Sequence, residues 1–109
     1  MSKFMIVYKG EATDMADMTQ EQMQEVMGKW ANWMEGVGSA LAEVGTPFGP
    51  SSTMVDDGSA GTAVSLSGYS VLEADDMAGA RALAEDHPFL SEGHGNFAID
   101  IYEMMPVPV

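Results

Sequence analysis

Apolar residues recur in steps of three and four from Met23 to Val44. Met23, Val26, Met27, Trp30, Trp33, Met34, Val37, Leu41 and Val44 would share one face of a helix with 3.6 residues per turn. Thr19, answered by Gln22, forms a capping box at its start. Gly45 followed by Pro47 supplies a stop signal. Gly36 and Gly38 weaken this helix by about 1 kcal/mol each relative to alanine, and mark a bend or the close approach of another backbone.

The other elements follow from shorter patterns. "KFMIVYK", Lys3 to Lys9, is rich in β-formers and predicts the first strand. The Gly-, Pro-, Ser- and Thr-rich stretch from Thr46 to Gly68 predicts a loop, a short strand near Ser52 to Val55 and a turn at "DDGSAG". "GYSVLEA", Gly68 to Ala74, predicts the next strand. In "DDMAGARALAEDH", Asp75 or Asp76 caps a second helix with Met77, Ala80, Leu83 and Ala84 inward. Pro88 restricts His87 and ends it. "NFAIDIYEMM" predicts the closing strand, and the "PVPV" tail cannot continue a ladder.

The resulting order, β-α-β-β-α-β, is the ferredoxin-like arrangement of the α+β class: an antiparallel sheet with two helices. Right-handed connections put both helices on one face. The other face is left bare, and a second copy is its economical cover, so a homodimer is expected.

At 109 residues the chain makes a single domain, 1–109, of modest core. No apolar run approaches the roughly 18 residues of a membrane span. Four basic residues stand against 17 acidic ones, for a net charge of −13. A phosphate backbone or an anionic membrane would be repelled, so neither nucleic acid nor membrane is an expected partner. The absence of cysteine removes disulfides, thiolate nucleophiles and cysteine-type zinc sites. With no export signal at the N-terminus, a cytoplasmic location is expected. The 11 methionines spread evenly through the patterned segments and suit core filling.

The segments "KFMIVYKG", "VGTPFGPSSTMV" and "SGYSVLEADDMAGARALAEDHPFL", with the closing strand, resemble the YCII-related family. The resemblance implies a dimeric α/β barrel, in which two ferredoxin-like sheets face each other around a shared interior. Better-studied relatives carry a His in the first helix and an Asp just before the proline that follows the second helix, proposed as a catalytic dyad. Here the first helix carries Trp30, Asn32 and Trp33 instead, and His87 precedes Pro88. The dyad therefore does not carry over. The "DGPF" motif of another branch of the family is also missing.

Candidate chemistry gathers in "HPFLSEGHGNFAIDIYE". Alternation along the closing strand sends Phe97, Ile99 and Ile101 toward the helices and Asp100 and Tyr102 toward the bare face. A half-buried, unpaired Asp100 would have a raised pKa, which suits proton transfer, or it simply bonds a neighbouring strand. His87 follows Ala80, Leu83 and Ala84 on the helical stripe. It either packs and caps the helix end or replaces the family's acid at the cavity mouth. His94, between glycines, is an exposed loop residue or an imidazole brought over a pocket. His87, His94, Glu92 and Asp100 match no metal-ligand spacing, so no metal or cofactor is expected.

Trp30 and Trp33 read as core or as walls of a ligand cavity, and Phe48 belongs to a shaped turn beside the cleft. Tyr69 can donate into the same interior as Asp100. No phosphate loop or nucleophile elbow occurs. The leading expectation is acid–base catalysis on a small apolar or cyclic molecule. Asp100 and His87 would handle protons, His94 and Tyr69 orient the substrate, and Trp30, Trp33 and Phe48 form the walls. The alternative is a non-catalytic, small-molecule-binding or regulatory dimer. A third reading is a purely structural role.

Overall fold

A computed structural model describes residues 1–10, 19–90 and 97–106. Strand β1, Ser2–Lys9, alternates strictly, with Phe4, Ile6 and Tyr8 buried and the residues between them less so. It pairs antiparallel with β3, Leu66–Ala74, on one side and with β4, Ala98–Met104, on the other. Strand β2, Leu41–Pro47, pairs antiparallel with β3, so the sheet order is β2-β3-β1-β4. The fold is α+β and ferredoxin-like.

Helix α1, Gln20–Val37, starts at the expected capping box: the Gln22 N–H donates to Thr19 Oγ1 at 3.1 Å, and the Thr19 N–H to Gln22 Oε1 at 2.9 Å. The predicted extension to Val44 does not occur. Gly38 takes φ +60°, a left-handed conformation cheap only for glycine, and its N–H closes on the Met34 carbonyl. One turn later the chain enters β2. Leu41 then faces Leu72 across the ladder, so its burial belongs to strand pairing and not to a helical stripe. The predicted strand near Ser52–Val55 is not formed; residues 48–65 hold no regular element.

Helix α2, Met77–Ala84, is capped by Asp76, whose Oδ1 accepts the Gly79 N–H at 2.8 Å. It ends before His87, which lies in a turn closed by its own N–H to the Ala84 carbonyl. Ala80 and Ala84 are buried as expected, while Met77 is exposed.

Both helices cover the same sheet face. Trp33 and Val37 of α1 pack with Ile6, Tyr8 and Leu72, and Ala80 of α2 packs with Phe4 and Ala74. On the opposite face, register brings Val7 beside Tyr69 and Asp100, and Met5 beside Val71 and Tyr102. No described helix covers that face. Among the described residues no helix is long and apolar enough to cross a membrane.

Candidate functional site

His87 sits between the sheet and α1, only 2 % exposed. The Phe89 N–H donates to its Nδ1 at 3.0 Å, so that nitrogen holds a lone pair and the proton is on Nε2. Nε2–H then donates to the Tyr8 hydroxyl at 3.0 Å. Tyr8 in turn donates to Ser70 Oγ at 2.6 Å, and Ser70 donates to the Val44 carbonyl at 2.7 Å. One backbone amide thus sets the direction of three successive bonds, linking residues far apart in sequence.

The strands make this chain possible. Tyr8 and Ser70 both point from central strands to the helix side. Val44 falls where the β2–β3 register shifts, between Glu43 and Thr46. Gly45, at φ +80°, makes the irregularity; a Cβ there would stand 1.8 Å from the Tyr69 carbonyl oxygen. The shift leaves the Val44 carbonyl available to Ser70.

Aromatic rings enclose the imidazole. Trp33 lies 4.2 Å from it between ring centroids, Trp30 4.4 Å at a perpendicular angle, and Tyr8 4.8 Å. Trp33 is itself anchored, its indole N–H donating to the Leu83 carbonyl at 2.9 Å. In this apolar surrounding a charge is poorly solvated. Burial therefore lowers the His87 pKa to about 4 and pushes the Tyr8 hydroxyl up to about 12, against the lowering effect of its bond to Ser70. At neutral pH both are uncharged. His87 has no free lone pair for a general base as it stands, and Tyr8 is a poor acid.

Beside this cluster opens a groove of about 630 Å³ between α1 and the turn after α2. Its inner wall includes Trp33 and His87; Lys29, Asn32 and Asp86 bring polar groups, and Pro88 and Leu90 add apolar surface.

The remaining candidates lie elsewhere. Asp100, on the open sheet face, is 3.3 Å from Lys9 Nζ. Tyr69 shares that face and donates its hydroxyl to Glu43 Oε1 at 2.6 Å, a bond that raises its pKa. Phe48 stacks on Tyr69 at 5.9 Å. Within one chain, then, the expected partnership of Asp100 with His87 is not assembled, because the sheet separates them. Trp30, Trp33 and His87 do come together. His94 and Glu92 lie outside the described residues. Among the described residues no three His, Asp or Glu side chains are grouped to hold a metal ion.

Tyr8 and Ser70 escaped the sequence reading. Each is a hydroxyl on the inward side of an apolar strand, and a hydroxyl buried there needs a partner. That was the available signal.

The first helix and the residue before the proline, which the resemblance singled out, meet at this cluster. The family model of the YCII-related domain matches residues 1–105. The chain belongs to the YCII-related family. Among solved structures it is similar to the 5-chloro-2-hydroxyhydroquinone dehydrochlorinase TftG of Burkholderia phenoliruptrix AC1100, in complex with 2,5-dihydroxybenzoquinone. The TM-score is 0.56 at 17 % identity, covering 94 % of this chain and 93 % of that one. At that identity the likeness is one of fold. A search of curated proteins gives no match.

Proposed function

We propose that this YCII-related protein binds a small, flat ring compound in the groove beside Trp33 and His87. The supporting observation is the groove itself, of about 630 Å³, with an apolar and aromatic inner wall and a few polar groups around it. Small-molecule sites are built in this way. The TftG complex, whose ligand is a dihydroxybenzoquinone ring, motivates the choice of ligand class. Binding leads over catalysis because both His87 nitrogens are committed to internal bonds.

A second reading, acid–base chemistry on the same ring, is favoured by the ordered His87–Tyr8–Ser70 chain, a ready path for a proton at the groove wall. On that reading a ligand displaces the Phe89 amide from Nδ1 and frees a lone pair. Asp100 and Tyr69 lie across the sheet from that groove and would act only on a ring bound at the open face. We further propose that a second copy covers that face in a homodimer, and that the protein works in the cytoplasm.

Trp30 and Trp33 are the two tryptophans of the chain, so intrinsic fluorescence reports directly on the site. Titration with 2,5-dihydroxybenzoquinone, corrected for its own absorbance, is expected to quench that signal saturably and raise the melting temperature. Asn32→Ala should weaken the response without changing the fold. Absence of both responses at millimolar ligand would remove the binding reading. If the ring's absorbance spectrum changes with turnover and Tyr8→Phe stops it while binding persists, the second reading takes over.

A further inference from the structure

The groove beside Trp33 and His87 is not electrically neutral. Trp33, Leu83 and Pro88 give it apolar surface, and Lys29, Asn32, Glu85 and Asp86 give it polar groups. One lysine against two carboxylates leaves the lining with one negative charge in excess. The lysine is also engaged: its Nζ lies 3.7 Å from Glu25 Oε1, one turn earlier on α1. Glu85 and Asp86 are exposed, and neither has an ion-pair partner among the described residues. Arg81, the basic residue in the last turn of α2, does not line the groove. The two acids follow directly on the C-terminal end of α2, where the helix dipole adds negative potential. A cleft with charge of one sign over low-dielectric walls concentrates ions of the other sign. The net charge of −13 on the whole chain adds to that field.

We propose that the ring bound in this groove carries a positive charge: the ligand is a small aromatic or cyclic amine, protonated at neutral pH. This rests on the ring-binding reading above and deepens it by naming the charge of the ligand. The ring lies against the apolar wall, and the ammonium group faces Glu85 and Asp86. The Asn32 amide can donate to or accept from a further polar substituent. A carboxylate in the same place would meet two like charges, and its one attractive partner would be a lysine already shared with Glu25. 2,5-Dihydroxybenzoquinone, an acid that ionises readily, therefore stands at the weak end of the rings this groove accepts.

Three probes of one ring and similar size separate charge from shape: 2-phenylethylamine, 2-phenylethanol and phenylacetate. Each is titrated at neutral pH and low ionic strength, with tryptophan fluorescence as the readout. The amine is expected to bind tightest and the acid weakest, with a spread that narrows as salt is added. Glu85→Gln with Asp86→Asn should reduce the amine-to-alcohol affinity ratio by about threefold or more. Lys29→Gln acts in the opposite sense, raising the affinity for the amine and lowering it for phenylacetate. Circular dichroism checks that each variant is folded, and the lysine variant serves as the test if the acidic pair proves necessary for folding. If the alcohol or the acid binds as tightly as the amine, or the amine's advantage survives in both variants, the charge assignment falls and the ring-binding reading stands. If none of the three probes binds and dihydroxybenzoquinone does not bind either, both fall.

Discussion

The two faces of the sheet carry similar side chains and use them differently. On the helix side, Tyr8, Ser70 and His87 are buried and joined in one directed chain of hydrogen bonds. On the open side, Tyr69 pairs with Glu43 and Lys9 with Asp100, as separate contacts at a partly exposed surface. One tyrosine is pushed to about 12 by burial, the other raised by the carboxylate it touches. Where water is excluded, each polar atom must be satisfied by the protein, and geometry becomes exacting. Where water is present, the same groups pair loosely and stay free to meet a partner.

The largest expected break in this contrast comes from Trp33→Ala, which opens a cavity and leaves the Leu83 carbonyl without its indole partner. A loss of about 3–5 kcal/mol in urea unfolding is expected; a loss below about 1 kcal/mol would mean that the cluster is not the core of the fold. Next is acid. With its folded pKa held at about 4, against about 6.5 unfolded, His87 binds its proton first in the unfolded chain. Its contribution is complete above about pH 6.5 and is lost as pH falls toward 4, amounting to roughly 3 kcal/mol. His87→Gln should flatten that part of the stability profile; a variant with the wild-type slope would show that His87 is not the group responsible.

Smaller effects sharpen the comparison. Tyr8→Phe removes the middle of the buried chain and should cost about 1–3 kcal/mol, since His87 and Ser70 both lose a partner. Tyr69→Phe on the open face should leave the unfolding midpoint where it is. Asp100→Asn should cost at most about 1 kcal/mol, and less at high salt. Equal losses at Tyr8 and Tyr69 would erase the distinction between the faces.

Much of the frame was legible in the sequence. The alternation in β1, the Thr19–Gln22 box and the aspartate cap of α2 are short-range patterns; the first two appear where the residues place them, and of Asp75 and Asp76 the structure selects Asp76. The failure at β2 has a local cause. Leu41 and Val44 fit a helical step as well as they fit a strand, and only the left-handed turn at Gly38 redirects them. The site was half legible. Trp30, Trp33 and His87 were singled out and do meet, whereas Asp100, Tyr69 and Phe48 form a separate group across the sheet.

The sequence by itself determined the places of β1, β3, β4 and the starts of both helices, the acidic character and membership of the YCII-related family, because those reside in neighbouring residues or in the whole string of them. Tertiary structure decided which polar groups became partners. His87 and Tyr8 are 79 positions apart and Tyr8 and Ser70 are 62 apart, and no local pattern encodes such pairs. Strand register and the packing of α1 on the sheet bring them within hydrogen-bond reach. The water excluded by that packing then makes His87 a neutral, fully bonded histidine.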